Sequence, residues 1–449
     1  MRIAYILADP GIGIFGTKGA SVHAQEMIRA FRALGHEVTV YCTKRGNKAG
    51  RPETEFVPED LQDLPIFTVS VAGAKGAAER ELAVMRAASR MAALAAEEGC
   101  ELIYERYSLF SDAGVQAKQQ LHARGITVPL VVEVNAPLAQ EQRAHRSLHH
   151  EQLAQQITTE VFSCATVLSC VSEAVAAWAA QEAGASQDSA TAQPRVVVTP
   201  NGVNTERFRP AAGGNSAFTV GFVGTLKPWH GTEILLQAFA AASAAAATET
   251  AHDDGERSPA RPWQLEIVGD GPLREDLTAL AAELGIRDRV VFHGAVPPQD
   301  VPQVMGRFDV ATAPYPVPSD TQQHYFSPLK AYEYMAAGLP VVASEVGELP
   351  HLLSSEGPAD QAAGLTVEPS NVNALADALR ELAADAPRRQ RLGRNARAAV
   401  VAHHSWRARA ADVLGQAGVP VSDTPSTWPA GETLPTENSA PLNRKVMRV

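Results

Sequence analysis

Short apolar runs recur along the chain, and stretches of helical period separate them. In the first half the runs are Ile3–Ala8, Glu37–Cys42, Ile66–Val69, Leu102–Tyr104, Leu130–Val134 and Thr166–Val171. Ser21–Leu34 and Glu79–Glu98, lying between them, repeat their apolar residues as amphipathic helices do. A second series follows, with runs at Phe218–Val223, Gln264–Val268, Val290–Phe292, Asp309–Ala313, Val341–Ala343 and Leu365–Val367. Strands alternating with helices predict a parallel sheet covered on both faces. Two series therefore predict an α/β protein of two doubly wound, Rossmann-like domains. The run Val196–Val198 and the turn signal Pro200-Asn201-Gly202 place the boundary there, giving domains over 1–200 and 201–385. Asn371–Leu382 and Arg388–Ala402 read as helices. Ala240–Pro262 is Ala-rich and then polar, and is expected as a loosely ordered extension. The tail 419–449, with five prolines and many Ser and Thr, is expected to be disordered.

Composition narrows the classes. The 449 residues suffice for two or three domains, with 45% hydrophobic and 20% charged residues. A net charge of -11 argues against a dedicated nucleic-acid binder, which shows a basic domain. No run of about eighteen apolar residues appears, so no membrane span is expected. Met1–Ala8 reads as a first strand, not as a signal segment. Cys42, Cys100, Cys164 and Cys170 are scattered without metal-type pairing, and three of them lie in or beside apolar segments as buried thiols would, which suggests a reducing, cytoplasmic setting.

The candidate chemistry sits just after strands, where ligands bind in open α/β sheets. The segment Tyr325–Ser344 reads as a helix with Ser327 as its N-cap and Pro328 at its first position, ended by Gly338 and Pro340. A helix N-terminus beside Lys330 attracts anions, and Glu333, one turn deeper, suits a sugar hydroxyl. An amphipathic core helix with solvated Lys and Glu is the competing reading. Asp9–Gly19 contains Gly11, Gly13 and Gly16 in G-x-G-x-x-G spacing, but no carboxylate ends the second strand as a dinucleotide site requires. It reads instead as a glycine loop whose amides face a phosphate or an acceptor, with Lys18 and Gly19 at its end. Phe222–Gly231 is the equivalent loop of the second series. There Gly224 permits close approach, and Lys227 and His230 offer charge to a diphosphate. Gly269-Asp270-Gly271-Pro272 points into the same crevice. Glu133-Val-Asn135 ends the fifth strand of the first series. His145, Arg146, His149 and His150 form a basic stretch without an acidic ligand pattern, so no metal is implied.

Together these segments resemble family 4 glycosyltransferases, retaining enzymes of the GT-B fold, from Met1 to about Ala411. Pro200–Phe208, Val171-Ser172-Glu173, the Gly269–Pro272 turn and Gly338–Val342 carry the resemblance. It implies a nucleotide-sugar donor, UDP- or GDP-linked, on the second domain and an acceptor on the first. It also implies that helices in 386–418 cross back to the first domain. The family's two glutamates, eight apart, fall at Tyr325 and Glu333. Glu333 thus resembles the ribose-binding position, and the first carboxylate is replaced. A Ser-Pro-Leu-Lys form of this motif marks a subgroup, with Leu329 among its donor-side residues. His324 or the Ser327 region is the candidate substitute for the lost carboxylate. The phosphate loop's usual Arg and Lys fall at Thr225 and His230, so Lys227 and Lys330 supply the charge.

The expected reaction moves a sugar to an acceptor hydroxyl with retention, in glycan or polysaccharide synthesis. Lys227, Lys330 and amides near Ser327 offset the leaving diphosphate's charge, and Glu133 is the one protein base candidate. Asn135, Lys18 and Gly19 lie on the acceptor side. The β-phosphate is the alternative proton acceptor by analogy, and neither cofactor nor metal is required. Lipid-linked sugars, glycans and small molecules are all open as acceptors, and contact with the inner membrane surface is a further expectation. A nucleotide-sugar epimerase and a non-catalytic nucleotide-sugar-binding protein are the alternatives.

Overall fold

Strands inside a parallel sheet are covered on both faces, so they must be apolar almost throughout. The runs of this chain meet that demand. The computed structural model describes residues 1–46, 57–71, 73–145, 147–184, 193–211, 216–251, 261–317, 327–354 and 361–420. It divides into two units, Met1–Pro200 together with the segment from Trp406, and Asn201–Ser405.

The first unit runs β1 (Arg2–Leu7), α1 (Gly19–Ala33), β2 (Glu37–Cys42), β3 (Ile66–Thr68), α2 (Ala77–Glu98), β4 (Leu102–Arg106), α3 (Ala113–His122), β5 (Leu130–Val134), α4 (Leu138–His145), α5 (Glu151–Cys164), β6 (Val167–Cys170), α6 (Glu173–Gly184) and β7 (Arg195–Val198). The sheet order is β3-β2-β1-β4-β5-β6-β7, and every described pair is parallel. The order reverses between β1 and β4, which opens a crevice at their carboxyl ends. Tyr5 of β1 stacks on Tyr104 of β4 at 5.3 Å, and Phe31 of α1 meets the same ring at 5.1 Å.

The second unit runs β8 (Phe218–Val223), α7 (Thr232–Ala251), β9 (Trp263–Val268), α8 (Arg274–Glu283), β10 (Val290–Gly294), α9 (Val301–Met305), β11 (Val310–Ala313), α10 (Leu329–Ala336), β12 (Val341–Ser344), α11 (Leu349–Leu353), β13 (Gly364–Val367), α12 (Val372–Ala384) and α13 (Ala386–His403). Its sheet, β10-β9-β8-β11-β12-β13, is also parallel, with the reversal between β8 and β11. One buried cluster holds Phe222, Leu236, Phe239, Leu265 and Leu379. A second holds Phe208, Tyr334, Met335, Ala396 and Val400, so α10 and α13 share a core.

Two expectations are corrected. The Ala-rich segment from Ala240 continues α7 as far as Ala251. Alanine has the highest helix propensity of all residues, and no glycine or proline interrupts the run. Residues 252–260 of that stretch lie outside the described residues. The final helices also part company. α13 stays with the second unit, while α14 (Trp406–Gln416) packs on α1 of the first, its Trp406 ring 4.7 Å from His23. Residues 421–449, which include almost all of the expected disordered tail, lie outside the described residues. No helix among the described residues is long and apolar enough to cross a membrane.

Candidate functional site

α10 begins one residue later than the cap signal suggests. Pro328 occupies the N-cap position and contributes no side-chain cap. The Ser327 hydroxyl is engaged elsewhere: it accepts the Asn201 N–H at 3.0 Å and donates to Glu348. Ser327 is therefore neither the helix cap nor a free donor to a ligand. Leu329 opens the helix, half-buried, ahead of the first bond, from Ala331 N to Pro328 O at 3.0 Å. Its N–H is one of the orphan donors of a helix start. The helix ends at Gly338, whose φ of 70° suits the left-handed position past a C-terminus. His324 and Tyr325 lie outside the described residues.

Lys330 is the unusual group. Its side chain is buried, with Nζ 4.3 Å from the centre of the Phe222 ring and 5.2 Å from that of Tyr315. Among the described residues no hydrogen-bond acceptor satisfies the ammonium. Burial pushes its pKa down to about 7, and the nearby charge of Glu333, half-buried on the same face, pulls the other way. A buried ammonium without a partner is costly unless an anion completes it. Phe222 lies at the carboxyl end of β8 and Tyr315 follows β11, so the ammonium stands at the switch point of this sheet.

The glycine loops are built around that point. A Cβ at Gly224 would stand 2.8 Å from Lys330 Nζ. At Gly269 it would meet the Gly224 carbonyl at 1.9 Å, and at Gly271 the Leu226 carbonyl at 2.4 Å. Backbone bonds fasten the two loops together, from Leu226 N to Asp270 O at 3.0 Å and from Leu273 N to Leu226 O at 3.2 Å. Gly269 N donates to Gly294 O, and Gly271 N to Asp270 Oδ1. Gly269 and Gly271 thus shape the crevice and have no amide left for a ligand, while the Asp270 carboxylate is exposed.

His230 does not carry the expected charge. Its Nδ1–H donates to the Thr225 carbonyl, which leaves Nε2 as an acceptor. Burial, then the charges of Lys330 and Lys227, push its pKa down to about 3. Lys227 lies 4.5 Å over the half-exposed Trp229 ring. Positive charge beside Gly224 therefore comes from Lys330 and Lys227. Gly231, at φ 67°, closes this loop, and a Cβ there would stand 1.7 Å from the Pro314 carbonyl. Gly231→Ala is expected to destabilise by more than about 1 kcal/mol, read by thermal melting.

In the first unit Glu133 is not placed as a base. Its carboxylate is buried and accepts from Tyr104 Oη at 2.7 Å, Arg106 Nη1 and Asn135 Nδ2, with His23 Nε2 at 3.1 Å. Although burial opposes it, the charges of His23 and Arg106 and the hydrogen bonds of His23 and Tyr104 hold this carboxyl well below the usual range. It stays ionised and fully occupied. Asn135 is accordingly a partner of Glu133. In the glycine loop Gly13 lies against the Gly46 carbonyl, 2.1 Å from where a Cβ would stand. Gly16 N donates to Gly13 O, and Gly16 O accepts from Gln25 Nε2 at 3.1 Å. Gly16 therefore offers no amide to a donor. Lys18 and Gly19 are exposed at the start of α1. Lys44 is close enough to Lys18 that, after burial, this charge lowers its pKa, which Asp9 opposes.

The structure adds residues that the pattern left unmarked: His23, Tyr104 and Arg106 around Glu133, Tyr315 under Lys330, and Glu348 beside Ser327. Glu348 carried a readable signal, a carboxylate just past the carboxyl end of a strand. The others act through neighbours remote in sequence. Among the described residues no group of three His, Cys, Asp or Glu side chains could hold a metal.

Comparison with known proteins agrees with this arrangement. Residues 17–207 match the family described as Glycosyltransferase Family 4, and residues 217–385 match Glycosyl transferases group 1. A D-inositol 3-phosphate glycosyltransferase from Corynebacterium glutamicum (strain R) is 27% identical over 92% of this chain and 95% of its own. One from Nocardia farcinica is 32% identical over 47% of this chain and 45% of its own. Among solved structures, the sucrose-phosphate synthase of Thermosynechococcus elongatus superposes with a TM-score of 0.65 at 20% identity, covering 93% of this chain and 98% of that one. HepE of Anabaena, solved with UDP, gives 0.64 at 18% identity, covering 93% and 100%. The two Rossmann-like units are those of the GT-B fold.

Proposed function

We propose, for a chain that belongs to glycosyltransferase family 4, that Lys330 and the loop around Gly224 hold the donor's diphosphate and that the acceptor is a small polyhydroxylated molecule. The chain is a retaining glycosyltransferase that takes its sugar from a nucleotide sugar. The binding-only and epimerase alternatives are not favoured, since its relatives are named as transferases.

One observation carries the donor assignment: a buried ammonium without an acceptor among the described residues, at the switch point of the second unit and beside a glycine that leaves it room. A diphosphate supplies the missing acceptor. Lys227 adds charge to the same loop, and Glu333 is placed for a hydroxyl of the ribose. With Glu133 sequestered, the reading needs no protein base and no metal: the departing phosphate takes the acceptor proton. The Ser-Pro-Leu-Lys sequence is the local form of this motif in a proposed subgroup.

The acceptor class rests on the relatives' names, D-inositol 3-phosphate glycosyltransferase and, for a Streptomyces kanamyceticus protein matched over 22% of this chain, 2-deoxystreptamine glucosyltransferase. The cationic pair Lys18 and Lys44 at the first glycine loop suits an anionic acceptor such as the former. The test offers UDP- and GDP-sugars with D-inositol 3-phosphate, 2-deoxystreptamine, a lipid-linked sugar or no acceptor, and follows donor loss and product mass. Acceptor-dependent release of one nucleotide is expected. Turnover with a lipid-linked acceptor alone would overturn the acceptor class.

A further inference from the structure

We infer that Glu348 is a positioning residue that fixes the entrance of α10, and through it the Lys330 ammonium, against the phosphate loop. The inference rests on the donor-site reading of Lys330 and adds the group that holds that site in place.

α10 has no cap of its own, because Pro328 at the N-cap has neither an N–H nor a side-chain acceptor. What fixes this end comes from outside the helix. After β12 the chain turns at Gly347, with φ 54°, and brings Glu348 over the helix start. Glu348 Oε1 accepts from Ser327 Oγ, ahead of the helix, and from Tyr332 Oη at 3.0 Å, in its first turn. One oxygen thus ties together the two sides of Lys330 in sequence. Asn201 fastens the same point from a third segment, its N–H to Ser327 Oγ at 3.0 Å and its amide to Ser327 O. Ser327 and Tyr332 are buried, so neither hydroxyl can exchange Glu348 for bulk water.

Lys330 depends on this staple because no described residue hydrogen-bonds its head. The ammonium lies over two rings without a hydrogen bond to any described residue, so its position follows the helix that carries it. A tilt of α10 moves Nζ away from Gly224, and misplacement by about 1 Å can cost on the order of 100-fold in rate. The staple needs an oxygen that accepts two O–H groups. The carbonyl oxygen of glutamine also does this, so the requirement is geometric and the charge is dispensable.

The experiment titrates UDP and GDP into the full chain by calorimetry, with Glu348→Ala, Glu348→Gln, Lys330→Met and the double variant Glu348→Ala/Lys330→Met. For whichever nucleotide binds the wild type, Glu348→Ala is expected to raise Kd about tenfold, and Glu348→Gln to stay within about threefold of wild type. In the Lys330→Met background the alanine change should add less than about twofold, since residues that act through one group are not additive. Acceptor KM should hold while donor KM rises, whereas a merely structural role would lower the melting temperature and leave that split unmoved. Equal effects of Glu348→Ala in both backgrounds, or no effect, would overturn the proposal. If Lys330→Met itself leaves Kd unchanged, the donor-site reading fails instead. Should Glu348→Ala not fold, Tyr332→Phe removes one of the two hydroxyls at almost constant volume. It is then expected to weaken binding two- to threefold, and an unchanged Kd would sink the proposal.

Discussion

Lys330→Met is expected to lower donor kcat/KM by on the order of 100-fold, the scale for losing a fixed charge that meets the departing diphosphate. Methionine keeps the unbranched stem, so the packing over Phe222 and Tyr315 survives and the loss belongs to the charge. Steady-state kinetics on donor and acceptor separately make the check. Activity within threefold of wild type would remove Lys330 from the site.

The same lysine makes donor binding depend on pH, and the sign follows from its surroundings. Phe222 and Tyr315 face the ammonium as neutral rings, His230 is neutral, burial lowers the lysine's pKa, and the charge of Glu333 pulls the other way. In the free protein Lys330 therefore loses its proton near pH 7. A bound diphosphate restores the charged form, so above pH 7 binding takes up a proton and Kd rises by up to tenfold per pH unit. Calorimetry at pH 8 in buffers of different ionisation enthalpy should show this uptake in wild type and none in Lys330→Met. Stability runs the opposite way. A lysine whose folded pKa lies below its unfolded value of about 10.4 destabilises the fold fully below pH 7, and that penalty fades as pH rises toward the unfolded value. Lys330→Met should thus melt higher than wild type at pH 6, and the gain should shrink by pH 10.

The strands and the loops after them were legible because buried parallel strands leave apolar runs and glycine turns leave gaps between runs. Gly224, Gly269 and Gly271 stood out in this way, although only the structure shows that the last two spend their amides on the protein. What escaped depends on neighbours distant along the chain. Ser327 has the residue type of a cap, yet Asn201 and Glu348 claim its hydroxyl. His230 looks cationic in a row of letters, but burial and two lysines keep it neutral. The helix through Ala251 was hidden by the polar residues that follow it. Glu133 misleads most, since a carboxylate at a strand end suits a base, and its four partners come from α1, β4 and the loop after β5.

Those partners set the second large effect. Glu133→Gln is expected to destabilise the first unit by about 3–5 kcal/mol, the usual cost of breaking one side of a buried ion pair. Arg106 is buried beside Glu133, and the substitution removes the counter-charge of its guanidinium. The new amide also turns a donor toward Tyr104, His23 or Asn135, each of which donates to the carboxylate now. Thermal melting of the variant should show a fall on the order of 10 °C for a unit of this size. The carboxyl's folded pKa lies below its unfolded one, so its contribution is complete above about pH 4.5 and lost as pH falls through the acid range. The gap between wild type and variant should therefore be flat from pH 5 to 8 and close only under acid. A general base behaves otherwise, because it must take up a proton near the working pH. Measured well below its melting temperature, Glu133→Gln should keep kcat within about tenfold of wild type and the same pH profile, and a loss of 1,000-fold with the fold intact would return Glu133 to catalysis.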